Sequence, residues 1–281
     1  MIKTDGKSWP PNKIKKQWIK MWHRIHQKLT KEIEIFDDQR TFRFRCNNIY
    51  ELRRCMRIFT KEPGTIEWMK KTLRSGDVFY DIGSNIGIYT IFAANFIGEH
   101  GKIYSFEPQS VNFSRLLDNI DVNHFFNRII PCNFALHDEK GYFDFIYSDY
   151  ESGSAHHQLI GDNENKANGD NYKIAELKYA TTIDDLIESK KIRPPQHVKI
   201  DVDGNEMPIL RGMSRLLKHT DKPISIQIEL DKNSKEEILG FMKSKNYYCK
   251  EKHYTAAGMR RIEEGQDPEQ QVCNGIFYEI E

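Results

Sequence analysis

The sequence predicts an α/β fold with a mostly parallel, doubly wound sheet of Rossmann-like type. From residue 78 to the C-terminus, short runs of β-branched and aromatic residues alternate with helical segments, the pattern of strands joined by crossover helices. The first run, 78–82, ends in a carboxylate and passes through a glycine-rich turn into an apolar helix, as nucleotide-binding units of this class do. A chain of 281 residues suits one such domain with an appendage.

The same periodicity gives the individual elements of this domain. We predict strands at 78–82, 102–106, 129–134, 198–202, 224–230, 247–250 and 275–280, and helices at 88–96, 110–119, 183–189, 206–217 and 235–243. An added strand is predicted at 141–147. The following stretch, 148–170, is rich in Ser, Gly, Asn and Asp and longer than usual connections, so we expect a loop that closes over a substrate.

The N-terminal part differs from the rest of the chain. We place a domain boundary between 1–60, a basic α-helical extension, and 61–281, the core domain. Apolar residues such as Ile14, Trp18 and Trp22 recur at helical spacing with lysines on the other face, which indicates a basic amphipathic helix. We expect it to pack on the core or on a second copy in a homo-oligomer; the alternative is peripheral contact with an anionic membrane. A short strand at 41–45 and a helix at 49–59 follow.

Composition limits the class of protein. No apolar run reaches the length of a membrane-spanning helix, and no secretory signal is visible, so we expect a cytoplasmic protein. The cysteines are scattered without a C-x-x-C pair, which argues against a disulfide framework and a zinc site. A net charge of +1 gives no reason to expect a nucleic-acid partner.

The segment from Asp81 to Gly87 has the form D-x-G-x-N-x-G and is predicted to hold a cofactor. A carboxylate before the first glycine suits a ligand with an ammonium group better than a pyrophosphate, which favours S-adenosylmethionine over NAD. Gly83 and Gly87 allow the backbone to approach a ligand closely. We assign Asp81, Gly83, Ser84, Asn85 and Gly87 to cofactor binding.

The ends of the next two strands supply the other predicted cofactor contacts. Glu107 ends the second strand, roughly 20 residues after the glycine loop, where an acidic side chain accepts from ribose hydroxyls. Asn133 and Ala135 follow the third strand, where the adenine is expected.

Together with these segments, the stretch from Lys199 to Glu206 and the following Leu-Arg-Gly resemble the FkbM-like family of methyltransferases. That family reads D-x-G-A-N-x-G, F-E-P and K-I-D-V-E-G-x-E, so Ser84 and Asp203 are mild departures. The resemblance implies a class I methyltransferase that uses S-adenosylmethionine to methylate a hydroxyl of a sugar, glycan or glycosylated metabolite. The alternatives are another small metabolite or a macromolecule as acceptor, or a non-catalytic scaffold that binds S-adenosylmethionine.

Methyl transfer to a hydroxyl requires alignment and a base within reach of the proton. Our catalytic candidates are Asp201, at the end of the fourth strand and also a cofactor contact, Glu229 and His156. For acceptor binding we name Tyr150, Ser154, His157, Asp203 and Glu206. Asp201, Asp203 and Glu229 are also a possible ligand set for a divalent cation, but we expect no metal.

Overall fold

The computed structural model describes residues 17–18, 21, 31–37, 40–147, 149–155, 157–160, 174–219 and 221–279. Gln17, Trp18 and Met21 are helical, and the Trp18 side chain is 61% exposed. The rest of the proposed amphipathic helix lies outside the described residues. Within the described part of the chain, no helix combines the length and apolar character needed to cross a membrane.

The N-terminal part contains strands as well as helices. Its elements are β1 (Lys31–Asp37), β2 (Arg40–Cys46), α1 (Ile49–Met56), α2 (Ile58–Lys61) and α3 (Pro63–Thr72). The first two form an antiparallel hairpin. The description of 1–60 as an α-helical extension is therefore not confirmed, because charged and apolar residues alternate with period two along β1 as well as β2.

The core domain begins with β3. Its first half comprises β3 (Val78–Ile82), α4 (Ile88–Ile97), β4 (Lys102–Phe106), α5 (Ser110–Val122), β5 (Ile129–Cys132), β6 (Ala135–Leu136), β7 (Gly141–Tyr147), β8 (Gln158–Ile160), β9 (Ile174–Thr181) and α6 (Ile183–Glu188). Its second half comprises β10 (His197–Ile200), α7 (Glu206–Arg211), a 3-10 turn (Leu216–Lys218), β11 (Ser225–Leu230), α8 (Lys235–Ser244), β12 (Tyr247–Tyr254), α9 (Ala256–Glu263), a second 3-10 turn (Pro268–Gln270) and β13 (Cys273–Glu279).

The central sheet has seven strands in the order β12-β13-β11-β10-β3-β4-β5. The strands from β11 to β5 are parallel, whereas β13 runs antiparallel to both β11 and β12. The predicted mostly parallel, doubly wound sheet is confirmed. Because β3, β4, β5, β10 and β11 are parallel, their carboxyl ends meet at one edge, where open α/β sheets bind ligands.

A second sheet of four strands, in the order β6-β9-β7-β8, stands beside this edge. The predicted strand 129–134 ends at Cys132 as β5, and the separate strand β6 follows at Ala135 in the second sheet. The predicted strand 198–202 ends at Ile200, so that Asp201 lies in a loop. Helix α7 ends earlier than predicted, at Arg211, where a Cβ on Gly212 would lie 2.2 Å from the carbonyl oxygen of His137.

Apolar layers cover both faces of the central sheet. Neighbouring residues of a strand point to opposite faces, so Phe79 packs with α4 and α5 while Tyr80 packs with the layer of α7. The β1–β2 hairpin packs into the layer that contains α4 and α5. Phe42 and Phe44 are fully buried there, and Phe42 stacks on Phe92 with ring centroids 5.2 Å apart. The β1–β2 hairpin is thus part of the packing of the core.

We predict that Phe44→Ala lowers the free energy of unfolding by about 3 to 5 kcal/mol, because it leaves a large cavity in a fully buried layer. Phe36→Ala is the control, since Phe36 on β1 is 65% exposed, and it should change stability little. Urea unfolding of both variants tests whether residues 31–60 fold with the core. An unchanged transition in Phe44→Ala would mean that they form a separate appendage.

Candidate cofactor and acceptor site

The glycine loop after β3 is held tightly by the protein itself. Gly83 and Gly87 have φ values of +79° and +86°, a region that favours glycine. A Cβ on Gly83 would lie 1.9 Å from the carbonyl oxygen of Asp201, and one on Gly87 would lie 2.5 Å from Leu116 Cδ1. Backbone conformation and protein packing thus favour glycine at both positions, and the close approach of a ligand to them stays a prediction.

Glu107, at the end of β4, is joined to this loop. Its carboxylate accepts from the backbone N–H of Asn85 at 2.7 Å and from that of Gln109 at 2.8 Å. Burial raises the pKa of Glu107 to about 7, although the two N–H donors oppose the shift. Each carboxylate oxygen accepts one of these bonds and has further lone-pair capacity, so Glu107 can also accept from hydroxyl groups in the cavity that it lines.

A cavity of about 640 Å³ opens at the carboxyl ends of β3, β4 and β10, and we call it the inner cavity. Glu107 and Asn85 supply polar groups, and Phe106 and Phe134 supply apolar surface. The remaining lining residues are Ile82, Gly83, Pro108, Asn112, Ala135, Leu136, Phe145, Ala155, His157, Leu159, Asp201, Val202, Asp203, Asn205 and Ile209. The carboxylate can accept from ribose hydroxyls, and the apolar walls beside it can contact an adenine ring. This combination suits the adenosine part of S-adenosylmethionine.

Four predicted cofactor contacts do not line this cavity, namely Gly87 and three polar residues whose side chains contact the protein. Asp81 is fully buried and accepts from Thr90 Oγ1. Ser84 is also buried and donates to the carbonyl of Phe106 at 3.3 Å. Asn133 donates to the carbonyl of Glu107 at 2.8 Å. These side chains support the loop and strand ends.

A buried lysine joins the ends of β3 and β10. Lys199 Nζ lies 2.8 Å from Asp201 Oδ2 and 4.0 Å from Asp81 Oδ1. Burial opposes a charge on Lys199, but Asp201 and Asp81 outweigh it and raise its pKa. Burial likewise disfavours charge on Asp201, yet Lys199 lowers the pKa of Asp201 to about 2. Burial raises the pKa of Asp81.

Residues 149–155, which we call the crossing segment, pass over the glycine loop. The carbonyl of Ser154 accepts from Asn85 Nδ2 at 2.6 Å, and that of Gly153 accepts from Arg54 Nε at 2.5 Å. Asn112 Oδ1 accepts from Gly153 N at 2.7 Å. The segment is thereby fixed to the glycine loop, to α1 and to α5.

A second opening of about 1460 Å³, the outer cleft, meets the inner cavity at shared residues. The residues that line both are Gly83, Asn85, Ala155, Asp201 and Asp203. One wall carries four cations from α1, α2 and the residue between them, namely Arg53, Arg54, Arg57 and Lys61; the other residues of the cleft are Tyr50, Asp149, Gly153, Ser154, Glu229 and Thr255. Sequence reasoning missed the cations, although three of them follow each other at four-residue spacing, which places side chains on one helix face.

Acidic residues also line the outer cleft. Burial, together with Asp201 and Asp203, raises the pKa of Glu229 to about 9. Glu206 lines neither opening; it is buried and accepts from the backbone N–H groups of Val202 and Gly204, both at 3.2 Å. Glu206 therefore shapes the loop after β10. Among the described residues, no three His, Cys, Asp or Glu side chains converge as metal ligands would.

The other predicted acceptor residues fall in different places. Ser154 lines the outer cleft, whereas His157 is buried on the wall of the inner cavity beside Ser154 Oγ. Tyr150 is 59% exposed and lines neither opening. His156 lies outside the described residues.

The fold and the site define a Rossmann-like protein in which a pocket suited to a nucleoside lies beside a polar cleft. Comparison with known families agrees: residues 81–249 match the methyltransferase FkbM domain. The chain belongs to the FkbM family of methyltransferases, which confirms the family prediction. Methyl transfer with S-adenosylmethionine as the donor follows from this membership.

The individual relatives share only low sequence identity with this chain. The chain is 27% identical over 180 residues to the hexuronic acid methyltransferase AglP of Haloferax volcanii, an alignment that covers 63% of this chain and 66% of that protein. A solved FkbM methyltransferase of Methylobacillus flagellatus shares 13% identity at a TM-score of 0.44, covering 76% of this chain and 50% of that one. TrmK of M. capricolum, solved with S-adenosylhomocysteine, shares 12% at a TM-score of 0.42, covering 76% and 67%.

We predict that affinity for S-adenosylhomocysteine rises with pH up to about 7 and then levels off, by up to about tenfold per pH unit below the pKa. The reason is that burial holds the pKa of free Glu107 at about 7, whereas ribose hydroxyls donate to its ionised form. Calorimetric titration across this range is the measurement. Glu107→Gln should bind more weakly by about 1 to 3 kcal/mol and without this pH dependence; a flat profile in the parent protein would contradict the assignment.

We also predict that Lys199→Met lowers the free energy of unfolding by about 3 to 5 kcal/mol, because it strands Asp81 and Asp201 without their cation. Adding Asp81→Asn should recover part of the loss, since a neutral amide needs no counter-charge. Chemical denaturation of the single and double variants measures both effects. Equal stability of parent and Lys199→Met would show that the ion cluster does not hold the two strand ends.

Proposed function

We propose that the protein transfers a methyl group from S-adenosylmethionine to a hydroxyl of a sugar or glycan. The observation that carries this proposal is the junction of the two openings at Gly83, Asn85, Asp201 and Asp203. A pocket suited to adenosine there meets a polar cleft large enough for a sugar ring. The similarity to a hexuronic acid methyltransferase supports the same acceptor class.

In this proposal two carboxyl groups that line the outer cleft have different tasks. The cofactor would supply a methyl group bonded to a sulfonium sulfur, and S-adenosylhomocysteine would leave as a neutral thioether. Asp201, whose pKa Lys199 lowers to about 2, stays ionised and accepts the hydroxyl proton as the oxygen becomes acidic during methylation. Glu229, with a pKa raised to about 9, keeps its proton and donates a hydrogen bond to the acceptor.

The remaining residues position the reactants. Asn85 and the crossing segment close the inner cavity over the donor and exclude water, which would compete for the methyl group. Self-association or membrane contact through the N-terminal helix stays a prediction, as does the cytoplasmic location.

We predict that Asp201→Asn reduces turnover by on the order of a hundredfold or more, because the amide cannot accept the proton. The assay follows labelled methyl transfer to a panel of sugars, nucleotide sugars and glycans at saturating cofactor. Turnover in the parent should show no loss on acidification through neutral pH, since Asp201 remains ionised there. It should fall above about pH 9, where Glu229 ionises.

Two further measurements separate the alternatives. His157→Gln should leave the pH–rate profile unchanged. If Asp201→Asn instead keeps full turnover, and His157→Gln loses the limb of the pH–rate profile near neutral pH, the histidine is the base. The product should keep its label in mild alkali, because a methyl ether is stable there. Release of the label would place the methyl group on a carboxylate instead of a hydroxyl.

A further inference from the structure

We propose that the acceptor carries an anionic group that binds Arg53 and Arg57 in the outer cleft. This inference rests on the proposed function and narrows its substrate class to acidic sugars, either uronic acids or sugar phosphates. The shared chemistry is a delocalised oxyanion, which a planar guanidinium binds through two parallel hydrogen bonds.

The four cations of the outer cleft differ in whether their side chains already bind groups of the protein. Arg54 donates to the carbonyls of Gly153 and Ser154, and Lys61 lies 2.6 Å from the carboxylate of Glu62. Arg53 and Arg57 are exposed, and no acidic group of the described chain pairs with them. Their guanidinium groups are thus available to a ligand.

The charge pattern of the cleft also orients such a ligand. Asp201 and Asp203 line the cleft where it meets the inner cavity, a region that Arg53 and Arg57 do not line, and the two carboxylates would repel an anion. An acidic sugar would then place its anion against Arg53 and Arg57 and its neutral hydroxyl beside Asp201. This arrangement selects one orientation of a ring that has several similar hydroxyls.

A competing use for these arginines is the carboxylate of the cofactor itself. The lining of the inner cavity contains neither Arg53 nor Arg57, and both line the outer cleft. The location therefore favours the acceptor, and cofactor affinity is the measurement that separates the two uses.

The test is calorimetric binding to the full chain saturated with S-adenosylhomocysteine, so that no turnover is needed. The probes are methyl glucuronoside, glucose 1-phosphate and neutral methyl glucoside. We expect at least one anionic probe to bind about tenfold or more tightly than the neutral one. Arg53→Gln and Arg57→Gln should each weaken that binding about tenfold to a hundredfold, while Arg→Lys at the same positions should weaken it less.

Lys191→Gln is the matched control, because it removes one positive charge from an exposed turn before β10, at the other end of that strand from the cleft. It should bind every probe as the parent does. Preference for methyl glucuronoside identifies a carboxylate as the anion, and preference for glucose 1-phosphate identifies a phosphate.

Three results would overturn the proposal: equal binding of charged and neutral probes, failure of both anionic probes to bind the parent, or unchanged binding in the arginine variants. A loss of S-adenosylhomocysteine affinity in those variants would also overturn it and assign the arginines to the cofactor. If the arginine-dependent binding is found but no acidic sugar is methylated, the proposed function fails while the anion site stands.

Discussion

The arrangement of the site depends on the ammonium group of Lys199, which is buried between two carboxylates. Removing such a group from water costs several kcal/mol, and only nearby opposite charge compensates this cost. Asp81 is the penultimate residue of β3, and Asp201 directly follows β10. The cluster therefore fixes the relative position of these two strand ends. Gly83 fits directly against the carbonyl of Asp201, and a side chain there would separate them. The cofactor loop and the proposed base are therefore placed by one electrostatic constraint.

The same cluster explains why neighbouring carboxylates hold different charges. Lys199 keeps Asp201 ionised with a pKa of about 2, and that negative charge, added to burial, raises the pKa of Glu229 to about 9. Two carboxylates in different environments thereby take opposite protonation states at neutral pH, as pairs with divided acid and base roles do. The outer cleft is thus lined by one ionised and one protonated carboxyl group, although the two side chains are of the same chemical type.

Local patterns in the sequence predicted the sheet, the glycine loop and the cavity position of Glu107, because strand period, glycine turns and strand ends are local properties. The buried position of Asp81 was not predictable, because the motif does not show whether its carboxylate faces a ligand or Lys199, which is far along the chain but lies on the neighbouring strand of the sheet. Arg53 and Arg57 were missed for a similar reason. They precede the core in sequence, and only the packing of the hairpin and α1 brings them to the cleft.

The crossing segment shows how the two openings depend on each other. The carbonyl oxygen of Ser154 accepts from Asn85 at 2.6 Å and from Arg54 at 3.4 Å, and Asn112 Nδ2 lies 3.5 Å away. These three donors compete for the two lone pairs of one carbonyl oxygen. The bonds from Arg54 and Asn112 are the weaker ones, because they are longer. Asn85 belongs to the cofactor loop, whereas Arg54 belongs to the basic wall beside Arg53. A shift of α1 on acceptor binding would consequently change the hydrogen bonds to Ser154, and through Asn85 it would affect the glycine loop, where we propose that the methyl donor binds.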